Sequence, residues 1–471
     1  MKNNCLRFVA AVALLALRAL GETPSAADLS ARIARVENSL LPPARIAGTT
    51  SEPWSIDSRL AFHAVPGVSL AVIADGKISW TRGYGISRSG AHTPVTTDTL
   101  FQAGALSKSV TAATALALVD AGLLALDAPA NTKLSSWKIL GPTGGSAAAV
   151  TLRQLLSHTA GLSVPNFSGY ASDAPQPTLL QILDGQPPAN SAPVRVTLAP
   201  GTKWQYSSGG FAVMQQLILD ATGETFPAIL HRRVFVPAGM TASTFTRPIP
   251  GDARIYPELA AAGLWTTPGD IARFVLALRH SLDPAETPDR ILQPLTAAAM
   301  ITPPLAGSDY GLGIGVLGSG ETLQLAHSGS TVGFRCSLVY YPRLGHGAIV
   351  MTNSDNGSAL IPEILRSLAG EYRWPDYRIV EKPVVRLPPS TYDHFVGRYS
   401  REETTLAFTR NGDRYFLRAT GQPRREIFPS TEHEFFVLDG AERFSFARNA
   451  DGEITHVVRY APTPQIFRPT R

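Results

Sequence analysis

The chain has 471 residues, of which 44% are apolar and 17% charged. At roughly 100 to 200 residues per domain that length holds two to four domains, or one large domain with an appendage, and the composition excludes fibrous and disordered classes. The formal charge of +5 is spread along the chain and falls to +2 once the first 21 residues, with Lys2, Arg7, Arg18 and no acid, are set aside, so nothing points to nucleic acid as a partner.

Leu6 to Leu17 is an apolar stretch behind a basic start, and Ala19 and Gly21 are small residues where a signal peptidase reads. Residues 1–21 therefore read as a signal peptide and the protein as exported, periplasmic or secreted. An N-terminal helix is the alternative reading, because Arg18 just after the run is atypical. No apolar run reaches the roughly 18 residues of a membrane span, so no transmembrane anchor is expected. The cysteines are Cys5 and Cys336; without the leader one thiol is left, which excludes an internal disulfide and a Cys-based metal site.

Val68–Ile73 and Lys77–Arg82 flank Asp75-Gly76, a turn pair that accepts positive φ angles, and predict a hairpin. Leu106–Leu124 carries Val110, Ala113, Leu116, Ala117 and Leu123 at helical spacing, which predicts a buried helix. Residues 150–300 alternate helical stretches with Pro/Gly loops. Thr267-Pro268-Gly269-Asp270 marks a helix start through a capping hydroxyl, Pro at the first position and an acid in the first turn. Strands are predicted at Gly311–Val316, Leu323–His327, Phe334–Tyr341 and Ala348–Thr352, then a helix at Leu360–Tyr372. Strands at both ends with helices between them give an α/β (α+β) fold, an antiparallel sheet flanked by helices whose first and last strands meet, beside an all-helical lobe.

Composition shifts after Lys382-Pro383. Arg386–Arg471 holds 13 aromatics, and Asn411-Gly412, Asp439-Gly440 and Asp451-Gly452 separate short alternating segments. This predicts a small C-terminal β-barrel or curled sheet over 386–471, following a larger domain over 22–382.

Phe101-Gln-Ala-Gly-Ala-Leu-Ser-Lys108 enters the Ala-rich helix. It resembles the Phe-x-x-Gly-Ser-x-Ser-Lys entry of the serine β-lactamase and penicillin-binding protein superfamily, in the class C-like branch with esterases and D-aminopeptidases. Residues three apart on a helix bring their Cβ atoms within about 5 to 6 Å, so the Lys amine can serve the Ser hydroxyl. Here Lys108 is present, and the Ser position is Ala105. Leu155-Leu-Ser-His-Thr-Ala-Gly-Leu162 is similar to the family's helix end and turn. Pro200-Gly-Thr-Lys-Trp-Gln-Tyr206-Ser-Ser208 resembles the segment with the catalytic Tyr in a Tyr-x-Asn pattern, with Ser208 at the third position. His327-Ser328-Gly329 stands where the family carries Lys-x-Gly or His-x-Gly. The resemblance covers about residues 55–375 and extends to a lipocalin-like C-terminal appendage.

Ser135-Ser-Trp-Lys138 also fits Ser-x-x-Lys, but it follows Pro129 and Asn131 in a predicted loop. His158 reads as a turn residue that bonds backbone rather than as a catalyst.

The resemblance implies metal-free and cofactor-free hydrolysis of an amide, peptide or ester through an acyl-enzyme, on a small-molecule or peptide substrate. The residue at 105 would attack the carbonyl, Lys108 and Tyr206 would share the proton, and the N–H groups of 105 and 330 would hold the oxyanion. His327 joins the catalytic set, and Ser208, Gly329 and Ser330 the substrate-binding set. Lys108 and a protonated His327 would lower the Tyr206 pKa toward the working range. A methyl group at Ala105 cannot attack, and Ser107 and Ser109 point away from the site, since residues one apart on a helix do not face each other. Loss of the nucleophile costs on the order of 10⁶ in turnover. Two accounts compete: a Ser-to-Ala change in a working hydrolase, favoured by the otherwise intact set, and a natural non-catalytic protein that binds a peptide-like or acyl ligand. An acyltransferase using the same acyl-enzyme is the third reading.

Overall fold

The structure is a computed structural model describing residues 25–87, 93–141, 150–246, 253–285, 290–461 and 463–470. The expected leader, residues 1–21, lies outside the described residues. Among the described residues no helix is long and apolar enough to cross a membrane.

Helix α1 (Ala26–Glu37) opens the described chain, followed by the short strand β1 (Ala44–Ile46) and helix α2 (Ile56–His63). The hairpin forms where the Asp-Gly pair places it. Strands β2 (Gly67–Ala74) and β3 (Lys77–Gly85) pair with Ala74 opposite Lys77, and Asp75 and Gly76 take φ of 52° and 71° in the turn. The two-residue strands β4 (Phe101–Gln102) and β5 (Trp265–Thr266) pair with each other. Between them the Ala-rich helix, α3 (Ser107–Asp120), follows a 3₁₀ turn at Gly104–Leu106, and every residue from Ser107 to Leu118 is buried. Small and apolar residues on every side, with the few polar ones bonded internally, leave it no solvent face, so it runs through the middle of the molecule.

The second half supplies β6 (Gly315–Leu317), β7 (Gln324–Thr331), β8 (Phe334–Tyr341) and β9 (His346–Thr352). The six-stranded antiparallel sheet has the order β3-β2-β9-β8-β7-β6, so the first hairpin meets the last strand, with Val68 opposite Thr352. Side-chain alternation along β2 feeds two cores. Val68, Leu70 and Val72 face α1, α2 and the closing helix Gly357–Tyr372, whereas Ala71 and Ile73 face α3, the lobe and the helix Pro268–Ser281. Thr267 caps that last helix by accepting from the Asp270 N–H at 3.1 Å, with Pro268 at its first turn.

Two strand expectations need correction. The expected strand Gly311–Val316 is pairing only from Gly315, because the backbone before it bonds helices instead: Leu312 N–H donates to Met300 and Gly313 N–H to Leu156. The expected strand Leu323–His327 runs on to Thr331, since Ser328 to Thr331 pair with β8.

Strand β10 (Val380–Lys382) pairs in parallel with β1, tying the linker back to the N-terminal segment. Beyond it β11 (Gly397–Arg401), β12 (Thr404–Asn411), β13 (Arg414–Ala419), β14 (Arg425–Pro429), β15 (Glu434–Phe436), β16 (Arg443–Arg448), β17 (Ile454–Tyr460) and β18 (Pro464–Pro469) close an up-and-down barrel. Its interior is packed with aromatic rings, among them Phe395, Phe408, Tyr415, Phe435, Phe444 and Phe446, as a narrow eight-stranded barrel permits.

Candidate active site

The site lies where the Gly104–Leu106 turn meets strand β7. Gly104 takes φ +51°, and a Cβ there would stand 2.8 Å from Ser330 N; a Cβ on Gly329 would fall onto the Ala103 carbonyl oxygen and 2.5 Å from Cys336 Sγ. Only glycines let these two backbones come so close. Half-buried Ala105 and exposed Ser330 thereby share one cleft, of about 540 Å³, with Tyr206, Tyr310, His327 and Trp204.

Lys108, one helical turn beyond Ala105, is 1% exposed. Its Nζ donates to the Ala261 carbonyl at 2.9 Å and sits 5.1 Å from the centre of the Tyr206 ring and 5.6 Å from that of Phe211. Among the described residues no carboxylate pairs with it, and burial lowers its pKa to about 7. The flanking serines are engaged in packing: Ser107 Oγ donates to Gly104 O at 2.6 Å and accepts from Leu264 N–H at 3.1 Å, and Ser109 Oγ donates to Gly313 O at 2.7 Å.

Tyr206 stands on a loop clamped by the His158 turn. His158, at φ +57°, accepts the Ser207 N–H on Nδ1 at 3.2 Å and the Gln205 N–H on its carbonyl at 2.8 Å. Its ring packs on Tyr206 and Tyr310 with centres 4.4 and 4.9 Å away, and burial drives its pKa well below the usual value. The turn-residue reading of His158 matches this geometry. Ser208 is buried, and its hydroxyl bonds Tyr206.

His327 projects from β7 into the cleft, and the structure corrects its expected charge. Nδ1 lies 2.7 Å from the Ser328 carbonyl, an acceptor, so Nδ1 carries the proton; Nε2 then accepts from the Tyr310 hydroxyl at 3.0 Å. Burial, with Lys108 nearby, lowers the His327 pKa to about 4, so the ring is neutral at neutral pH. Burial pushes the Tyr206 pKa up to about 12, against the Ser208 hydrogen bond, and that side chain is a phenol at any working pH.

Sequence reasoning missed Tyr310. A single Tyr ahead of a Gly-rich run has no spacing signature, and its link to His327 is made only by the fold. Ser135–Lys138 is structural: Ser135 and Ser136 bond Asp220, and Lys138 donates to the Asn131 and Leu134 carbonyls.

An antiparallel sheet, a helical lobe, and a buried lysine and a tyrosine between them define a β-lactamase-like serine-hydrolase scaffold. The chain belongs to the Beta-lactamase family, whose model matches residues 55–369. It is 28% identical over 383 residues to penicillin-binding protein 4 of Amycolatopsis lactamdurans, covering 74% of this chain and 96% of that protein. Over 195 residues it is 31% identical to esterase EstB of Burkholderia gladioli, covering 39% of this chain and 48% of the relative. Among solved structures, the octameric penicillin-binding protein homologue from Pyrococcus abyssi aligns with a TM-score of 0.56 at 20% identity, over 88% of this chain and 98% of that one. The D-amino acid amidase from Ochrobactrum anthropi SV3 complexed with L-phenylalanine aligns with a TM-score of 0.54 at 22% identity, over 73% and 99%.

Proposed function

We propose that this protein is built for acyl transfer from an ester or amide to water through residue 105, and that with Ala105 in that position it binds such substrates without turning them over. The observation that carries this reading is the uncompensated, fully buried Lys108 one turn from Ala105 and beside Tyr206. A buried cation with no carboxylate partner lowers stability and is retained where its proton is used.

With a serine at 105, its oxygen attacks the carbonyl carbon while its proton passes to the neutral Lys108 amine. The N–H groups of residues 105 and 330 take the oxyanion. The proton then returns, by way of the Tyr206 hydroxyl, to the leaving group as the carbonyl–leaving group bond breaks and the acyl-enzyme forms. Water attacks the ester so formed along the same path in reverse. The esterase and penicillin-binding names of the relatives support an acyl donor as substrate. The basic start and apolar run before Gly21 support export.

A non-catalytic ligand-binding protein is the second reading, and Ala105 itself favours it. Comparison of the Ala105 chain with its Ala105→Ser variant on 4-nitrophenyl acetate separates the two. The first reading expects turnover only in the variant, higher by several powers of ten; equal background rates in both would leave the binding protein.

A further inference from the structure

The cleft that holds Ala105 is lined by fourteen described residues, and not one of them is Asp, Glu, Lys or Arg. Lys108, Arg335, Asp376 and His327 are already engaged. Lys108 lies beneath the cleft with its amine on the Ala261 carbonyl. Arg335, the cross-strand partner of Ser330, donates to the carbonyls of Thr331 at 2.6 Å and Phe334 at 2.7 Å and pairs with Asp355 at 3.0 Å. Asp376, beside the lining residue Tyr377, accepts from the Tyr341 hydroxyl at 3.1 Å. His327, the one basic side chain in the lining, has one ring nitrogen on the Ser328 carbonyl and the other on the Tyr310 hydroxyl, so neither is free to donate to a ligand anion.

What the cleft does present is aromatic and neutral. Trp204, Tyr206, Tyr310 and Tyr377 supply ring faces, and Ser328 and Ser330 exposed hydroxyls. Taking a free carboxylate or ammonium out of water into such surroundings is costly without a paired charge. A neutral ester or amide with a ring or branched apolar group loses little on entry and gains buried area, and its carbonyl and amide groups find the serine hydroxyls.

We infer that this cleft selects neutral acyl donors, an ester or capped amide carrying an aromatic or branched apolar group, and rejects substrates with a free carboxylate or a free ammonium beside the scissile bond. The inference rests on the acyl-transfer reading for the reaction but on the lining alone for the preference. It excludes substrates whose recognition depends on a terminal charge.

The test uses the full-length chain and one matched series: N-acetyl-phenylalanyl-lactate methyl ester, the same compound with the lactate carboxylate free, and the methyl ester with the phenylalanine amine free, each in both configurations at phenylalanine. Binding to the Ala105 chain is measured by calorimetry and kcat/KM with the Ala105→Ser variant. The neutral compound is expected to bind and react at least ten-fold better than either charged one. Ser337→Lys, at a half-buried lining position away from the reacting atoms, is expected to shift the ratio at least ten-fold toward the free carboxylate. Equal handling of all three compounds overturns the selectivity and leaves the hydrolase reading standing. The expected ranking in binding without turnover by the Ser variant does the reverse, and binding of none of them overturns both.

Discussion

Lys108 and Ala261 are joined by a 2.9 Å hydrogen bond from the lysine Nζ to the peptide carbonyl, in a place where water does not reach. The ammonium has a dipole for a partner instead of a counter-ion, and its pKa falls from the ordinary 10.5 to about 7. If the neutral amine is the proton acceptor in the Ala105→Ser background, kcat/KM for a neutral ester should rise with pH through about 7 and then level, as Tyr206 stays protonated up to about 12. A profile flat from pH 5 to 9 would remove Lys108 as the base.

The same depressed pKa has a stability consequence of defined sign. The unfolded chain holds the Lys108 proton up to about 10.5 and the folded chain only to about 7, so the burial cost is fully present below pH 7 and fades as pH rises toward 10.5. Lys108→Met should therefore raise the unfolding free energy by a few kcal/mol, roughly, at pH 6, with the gain shrinking by pH 9. Chemical denaturation at the two pH values checks this, and the same substitution should abolish turnover in the Ser background. A variant less stable at pH 6 would mean that the aliphatic stem matters more than the charge.

If Lys108 and Tyr206 serve one proton path, Lys108→Met and Tyr206→Phe in the Ser background should each lower kcat by several powers of ten, and the double variant should lose little more than the worse single one. Additive losses would place them at separate steps. Single-turnover kinetics on a 4-nitrophenyl ester resolves the two cases.

The hairpin, the central helix and the helix start at Thr267 were legible because each rests on local chemistry: an Asp-Gly turn, an Ala/Leu-rich run, a Thr-Pro-Gly-Asp cap; the meeting of first and last strands followed from strands at both ends with helices between. The motifs named Lys108, Tyr206 and His327 as candidates, and the fold brings them to one place. Their protonation states could not be read from the motifs, because those depend on contacts distant in sequence. Tyr310 bonds His327 across 17 residues, and Ala261 holds Lys108 across 153. Gly311–Ile314 looked like a strand because its apolar alternation is real; helix carbonyls claim its N–H groups before a neighbouring strand can.

Gly329 is the position where backbone spacing matters most. Gly329→Ala in the Ser background must push β7 away from Ala103 and the 105 turn, which should cost roughly 1 to 3 kcal/mol of stability and lower acylation by more than that loss accounts for. Thermal unfolding and acylation rate measured on the same preparation check it; unchanged acylation would mean that the N–H groups of 105 and 330 do not act together.

The central claim is that position 105 lacks only a hydroxyl, with Lys108, Tyr206 and the N–H groups of 105 and 330 as the proposed rest of the machinery. Intact-mass spectrometry of the Ala105 chain and the Ala105→Ser variant after incubation with an alkyl fluorophosphonate tests it most directly. The account predicts one adduct on the variant, mapped to residue 105 by peptide analysis, and none on the Ala105 chain. A folded Ser variant that stays unlabelled, or a label on the Ala105 chain at another residue, would contradict it.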